Sequence, residues 1–186
     1  MNRIRKTIQI LALAFLISIV TLAASCNANE ATGAKAKAIA IINDTSNTSQ
    51  VLGEVSLNES ESGLLIKAEI KQAPPGKHGF HIHELGSCDD GGKGAGGHFN
   101  PDKVKHGDLL KDGFENAHAG DLGNINIAED GTGFYNQTIP GLTLKEGKYI
   151  VGNRAFILHA KEDDFGQPTG NAGARIGCGM IASIDG

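Results

Sequence analysis

The sequence predicts an all-β domain: eight short strands forming a sandwich or closed barrel, with two long functional loops. Three observations carry that expectation. Short apolar runs alternate with clusters of Gly, Pro, Asn and Asp, the punctuation of strands and turns. None of these runs repeats its apolar residues at the 3.6 period of a helix. Glycine is abundant, at 26 of 186 residues, which suits shaped loops, and 40% hydrophobic content supports one domain with its own core.

The N-terminus reads as a targeting signal. Arg3, Arg5 and Lys6 precede the uncharged stretch Thr7 to Ser25, and Leu22-Ala23-Ala24-Ser25 runs directly into Cys26. A basic head, an apolar stretch and small residues make an export signal. Small residues abutting a Cys are similar to a bacterial lipoprotein cleavage site. Residues 1–25 are therefore expected to be a lipoprotein-type signal peptide. Residues 26–35 are the lipidated Cys26 and a small polar linker, reaching roughly 30 Å when extended. The stretch is also long enough to span a bilayer, so an uncleaved anchor is the alternative. Either way the domain, residues 36–186, is expected outside the cytoplasm, periplasmic or in the cell envelope and tethered to a membrane. Removing residues 1–25 leaves 14 basic and 21 acidic residues, a net charge of −7. With no basic run, that balance argues against nucleic acid as a partner.

Strands are expected over 36–42, 50–57, 64–72, 78–85, 124–128, 134–139, 149–159 and 175–184. Those over 50–57 and 64–72 alternate partly, as half-buried strands do. Ala73-Pro74-Pro75-Gly76 is a turn before the fourth run, and Asp130-Gly131 is a hairpin signal between the fifth and sixth. Two connections, 86–122 and 160–174, exceed ordinary loop length, and long loops in small domains are usually functional.

Six of seven histidines fall in or beside these loops. His81 and His83 are two apart on one run, so both imidazoles face the same side of a strand. His98, His106, His118 and Asp121 lie in the first loop, and His159 ends the seventh run. Three histidines with an aspartate and no thiolate suit zinc in a closed four-ligand site, and imidazoles alone suit copper among other metals. His98 can serve both sets by presenting one ring nitrogen to each metal. His78, an odd step from His81, is expected to be structural. Cys88 and Cys178 form an even pair in an oxidising compartment. A disulfide is the simplest reading, with free thiols or thiolate ligands as the alternative.

The stretches Gly79-Phe80-His81-Ile82-His83-Glu84, Gly97-His98-Phe99-Asn100-Pro101, His118-Ala119-Gly120-Asp121-Leu122-Gly123-Asn124 and Gly170-Asn171-Ala172-Gly173-Ala174-Arg175 closely resemble those of copper/zinc superoxide dismutases. The motifs follow the family's order, and the resemblance covers about residues 36–185. It implies an eight-stranded Greek-key β-barrel and dismutation of superoxide to oxygen and hydrogen peroxide. It further implies copper held by His81, His83, His98 and His159, and zinc by His98, His106, His118 and Asp121. Arg175 resembles the arginine that docks the anion, His98 the ligand that also carries a proton, and Cys88 with Cys178 the family's disulfide. Asp163 resembles the aspartate that bridges His81 and His106; its neighbour Asp164 is the alternative.

Rival readings start from the same residues. An exported copper- and zinc-binding module without turnover needs the histidines but not Arg175. A zinc hydrolase needs an open coordination position and a base, and Glu84 is the only acid beside the histidine pair. Attraction of an anion to a chain of net −7 depends on the local field, not the total. Two divalent metals and Arg175 are expected to supply that field, with Lys93 and Lys161 as candidate guiding cations and solvated loop lysines as the alternative. A homodimer is compatible with the sequence, which does not fix the oligomeric state.

Overall fold

The computed structural model describes residues 36–184. The expected signal peptide, Cys26 and the linker lie outside the described residues. The strands are β1 (Lys37–Asp44), β2 (Val51–Ser60), β3 (Gly63–Ile70), β4 (Gly76–His83), β5 (Asp121–Ile127), β6 (Gly133–Ile139), β7 (Ala155–His159), β8 (Arg175–Met180) and β9 (Ala182–Ser183). Neighbours in space run β2-β3-β6-β5-β4-β7-β8-β1-β9, and β1 also pairs with β2, which closes the sheet on itself. Every strand pairing is antiparallel. The jump from β3 to β4 and the return from β6 to β7 make the order a Greek key. β9 continues the last strand beyond Ile181 and pairs with β1, so the barrel has eight staves, as expected.

Alternation decides which residues fill the barrel. Ala38, Ala40 and Ile42 of β1, and Leu64, Ile66, Ala68 and Ile70 of β3, point inward and are buried. In β4 every residue from His78 to His83 is buried, because both faces are covered. Phe80 and Ile82 enter the core, where Phe80 stacks on Phe156 at 5.1 Å between centroids. His81 and His83 take the opposite face. Opposite them on β7, Ile157 pairs with His81 and Ala155 with His83. Ala155 and Ile157 belong to a second apolar cluster, with Ala95 and Cys178, outside the barrel wall. Burying each large side chain contributes roughly 1.5–3 kcal/mol. The site therefore lies on the outer face of the β4–β7 pair, roofed by the two long loops.

Three expectations need correction. Residues 149–154 do not belong to β7; they make one isolated bridge, Thr143 to Ile150, and a turn in which Asn153 has φ 59°. Asn tolerates that left-handed backbone, and Val151 is buried from a loop rather than a strand. The first loop is not free of helix: it holds a 3-10 turn at Lys93–Ala95 and a short helix α1 (Leu109–Asp112). Neither is long enough to show a period in the sequence. Finally, β5 starts at Asp121 rather than Asn124, so Asp121 is a strand residue paired with His81.

Candidate metal centre

Three strands and two loops supply the site. β4 gives His81 and His83 on one face, β7 ends in His159, and β5 opens with Asp121. His159 lies two residues beyond Ile157, the partner of His81, so strand alternation puts it on the same face as the histidine pair. The first loop returns His98 to β4 as an isolated bridge to His83. It then carries His106 and His118 to the side of Asp121.

The result is two adjacent groups of four sharing one residue. His81, His83, His98 and His159 form the first, and His98, His106, His118 and Asp121 the second; one potential ligand atom from each lies within 4.8 Å of the others in its group. Ring centroids of His81 and His98 are 4.2 Å apart, and those of His98 and His118 are 5.5 Å apart. All seven residues are buried. His78, by contrast, is spent on the backbone: its Nδ1 faces the His159 carbonyl and its Nε2 the Pro74 carbonyl, both at 2.8 Å.

Hydrogen bonds fix which nitrogen of each ring is free. His83 Nδ1 donates to the Gly96 carbonyl at 2.9 Å and His159 Nδ1 to the Gly173 carbonyl at 3.3 Å, which leaves both Nε2 atoms as lone pairs. His81 Nε2 donates to Asp163 Oδ2 at 2.7 Å, which leaves Nδ1. These three nitrogens, His81 Nδ1, His83 Nε2 and His159 Nε2, are buried without a hydrogen-bond partner. Basic lone pairs buried together without donors are costly unless a cation neutralises them. An all-imidazole set of this kind suits copper.

The second group is organised around a carboxylate. Asp121 Oδ1 faces His98 Nδ1 at 2.8 Å and His118 Nδ1 at 3.0 Å. Its Oδ2 accepts from the Gly107 and His118 backbone amides at 3.0 and 2.9 Å. His106 Nδ1 lies 2.9 Å from the same oxygen, yet without the alignment of a hydrogen bond. Three Nδ1 atoms and one carboxylate thus face a common point, the donor set of a closed zinc site. His106 Nε2, on the far side of the ring, donates to Asp163 at 2.9 Å.

Charge follows burial and partner. Burial, reinforced by neighbouring imidazoles, holds His83 at about 2 and His159 at about 3. Burial holds His98 at about 4 against the pull of Asp121. These rings stay neutral at physiological pH, the form that binds metal. Burial also opposes charge on His106, but Asp121 and Asp163 outweigh it and raise that ring to about 9. Burial disfavours the Asp121 and Asp163 carboxylates, yet hydrogen bonds from His106 and the other histidines hold both well below the usual carboxylate range.

Arg175 opens β8 beside the first group. Its Nη1 donates to the Gly92 carbonyl and its Nη2 to the Gly96 carbonyl at 2.6 Å. The Gly96 carbonyl thus takes hydrogen bonds from both His83 and Arg175. The loop bearing these glycines is stapled to β8 by the Cys88–Cys178 disulfide, with Cα atoms 5.7 Å apart, which settles the cysteine alternatives in favour of a bond. Lys161 lays its stem over Gly173 at the mouth of the site, whereas Lys93 pairs with Asp90 at 3.5 Å. Glu84 is exposed and its Oε1 accepts the Gly97 amide at 3.1 Å, which leaves it no place as a base.

Of the two candidate aspartates, Asp163 touches both rings; Asp164 instead accepts from Asn171 and the Gly166 amide. Sequence reasoning missed Asn124, whose side chain exchanges two hydrogen bonds with the Asp163 backbone at 2.9 and 2.8 Å. It also missed Gln167, which makes the same kind of pair with His106. Neither has a metal-binding side chain; Asn124 closes the stretch that starts at His118, whereas Gln167 lies outside every quoted motif and carries no signal in the sequence. Gly170 has φ 75°, and a Cβ there would meet Asp163 Oδ1 at 1.9 Å.

Comparison with known proteins agrees with this geometry. The family model for copper/zinc superoxide dismutase matches residues 51–181. Superoxide dismutase [Cu-Zn] 5 of Dictyostelium discoideum is 43% identical over 132 residues, 67% of this chain and 84% of that protein. The extracellular superoxide dismutase [Cu-Zn] of Caenorhabditis elegans is 36% identical over 143 residues, 73% of this chain and 63% of the relative. Among solved structures, a SOD-like protein from Bacillus subtilis superposes with a TM-score of 0.65 at 34% identity, covering 76% of this chain and 96% of that one. The family match spans the stretch that carries all seven candidate ligands, and the chain belongs to the copper/zinc superoxide dismutase family.

Proposed function

We propose that this chain dismutates superoxide, turning two superoxide anions and two protons into one oxygen and one hydrogen peroxide. In this reading His81, His83, His98 and His159 hold copper, and His98, His106, His118 and Asp121 hold zinc. The observation that carries it is the trio of buried, donorless nitrogens on His81, His83 and His159, gathered against the ring His98 shares with the second group. When bound, copper supplies a one-electron redox couple and zinc a fixed divalent charge.

The chain's own residues do the rest. Arg175 is cationic at any working pH and is aimed by two backbone carbonyls, so it binds and orients the small anion. His98 moves a proton through Nε2, because its Nδ1 is committed to the Asp121 side. Asp163 fixes the tautomers of His81 and His106 through one carboxylate. The placement of Arg175 beside the histidines favours turnover over a binding module.

The test is metal analysis of the purified domain with a superoxide-scavenging assay. His81→Ala is expected to lose copper and activity while keeping the fold. Retained activity at equal metal content overturns the copper assignment.

The same reading exports the protein and anchors it by a lipid on Cys26. The Cys88–Cys178 disulfide supports an oxidising compartment. Cys26→Ser is expected to move the protein from the membrane fraction to the soluble one, and unchanged fractionation refutes the anchor.

A further inference from the structure

The second loop does more than carry Asp163. Its segment 163–167 grips His106 from three directions. Asp163 takes the hydrogen bond from His106 Nε2 at 2.9 Å. Phe165 lays its ring nearly parallel to the imidazole, 18° apart with centroids at 6.3 Å. Gln167 closes on the main chain: the His106 amide donates to Gln167 Oε1 at 3.2 Å, and Gln167 Nε2 donates to the His106 carbonyl at 2.8 Å. These two bonds link residues 61 apart in sequence.

The segment is itself braced. The Phe165 amide donates to Asp163 Oδ1 at 2.8 Å, Asp164 N to the Gly170 carbonyl at 2.9 Å, and Gly170 N to the Gly166 carbonyl at 2.6 Å. Phe165 is 38% exposed and Gln167 is exposed, whereas His106 is 3% exposed. A solvent-facing amide therefore anchors a buried backbone, and a rotation of that backbone would carry the His106 ring with it. The next residue moves too: the Gly107 amide donates to Asp121 Oδ2. One glutamine thus stands behind two members of the second group.

We propose that Gln167 is the positioning residue of His106, and that its two-bond clamp governs how firmly and how long zinc is held. The inference rests on the reading that His106 binds metal. Asp163 fixes where the ring's outer nitrogen points. Gln167 fixes where the ring starts, which determines whether Nδ1 meets the same point as His98, His118 and Asp121. Partners behind a ligand typically alter metal affinity by about 10–100-fold.

The experiment uses the copper- and zinc-loaded protein and follows zinc transfer to a chromogenic chelator. Gln167→Met keeps the side-chain volume without either hydrogen bond and is expected to release zinc at least about tenfold faster, with copper retained. Gln167→Glu keeps the acceptor for the His106 amide and is expected to fall between Met and the parent. Cobalt in place of zinc should show a shifted visible band in Gln167→Met, reporting altered ligand geometry. Asn171→Ala loosens the same loop at Asp164 without touching His106 and is expected to release zinc at the parent rate. Release unchanged in Gln167→Met, or equally fast in Asn171→Ala, overturns the clamp. A parent protein that binds no zinc, or a His106→Ala variant that binds it as tightly, instead overturns the ligand assignment on which the clamp depends.

Discussion

Asp163→Asn is the sharpest probe of how the two groups are tied together. The carboxylate accepts from His81 Nε2 at 2.7 Å and from His106 Nε2 at 2.9 and 3.0 Å, with no solvent exposure. Hydrogen bonds to a charged group each contribute roughly 1.5–3 kcal/mol, and neutral ones roughly 1 kcal/mol. Asparagine has almost the same shape but one acceptor oxygen and no charge, so it keeps one weaker bond and turns an NH2 toward the other ring. The loss is about 1 kcal/mol at the imidazole that keeps a bond and about 2 kcal/mol at the other, or about 5-fold and about 30-fold in affinity for the two metals. Competition against chelators, read separately for copper and zinc, measures it. Because His81 and His106 belong to different groups, both affinities are expected to fall together, while Asp164→Asn leaves both alone. An Asp163→Asn protein that weakens only one metal, or neither, refutes the bridge.

Arg175→Ala is expected to lower kcat/KM about 10–100-fold with both metals retained, the cost of one charge-assisted contact with the anion; an unchanged ratio means another group docks it. Cys178→Ser opens a link between residues 90 apart, worth roughly 4–5 kcal/mol by chain entropy. A Tm fall of about 8–20 °C should follow, and a fall under about 3 °C contradicts the estimate. In metal-free protein, His83, His98 and His159 sit at about 2, 4 and 3, below their unfolded value of 6.5. The unfolded chain binds more protons there, so stability drops as pH falls below 6.5. His106, at about 9, works the other way: its contribution is complete below 6.5 and is lost as pH rises through 9. Tm is therefore expected to peak near pH 6.5–7 and decline on both sides, and a Tm still rising between pH 7 and 9 refutes the His106 assignment.

How much of this was legible in the sequence depends on what each residue does. His81 and His83 announced a shared face because strand side chains alternate with period two, and the structure puts both on the outer wall of the barrel. The motif resemblance drew His98, His106, His118, Asp121 and His159 into the same site, a convergence that no local pattern contains. Of the acidic pair after His159, Asp163 rather than Asp164 is the one that contacts both rings. The failures were local and backbone-driven. Tyr149 to Arg154 look like the start of β7 by hydrophobicity, but beyond the single bridge of Ile150 the left-handed Asn153 and the turn around it keep the run out of that strand. α1 is four residues long, too short for a period to appear. Gln167 and Asn124 went unnoticed because a side-chain amide gripping a distant main chain leaves no spacing rule behind.

The closure of the barrel has a consequence for its surroundings. β1 meets β8 through only two residue pairs, Asn43 with Cys178 and Asp44 with Gly177, and β9 through two more. Thr45 adds a hydroxyl contact to the Arg175 carbonyl at 2.7 Å. This is one of two thin seams in the wall, the other being β5–β6 with its single pair of Ile127 and Gly133, and one of the four pairs here involves a bonded half-cystine. Parting it would bare the unsatisfied amides and carbonyls of two strand edges, a template on which other chains add. The covalent link that shapes the loop over the histidines thus also fixes β8, one of the two strands that meet at this seam.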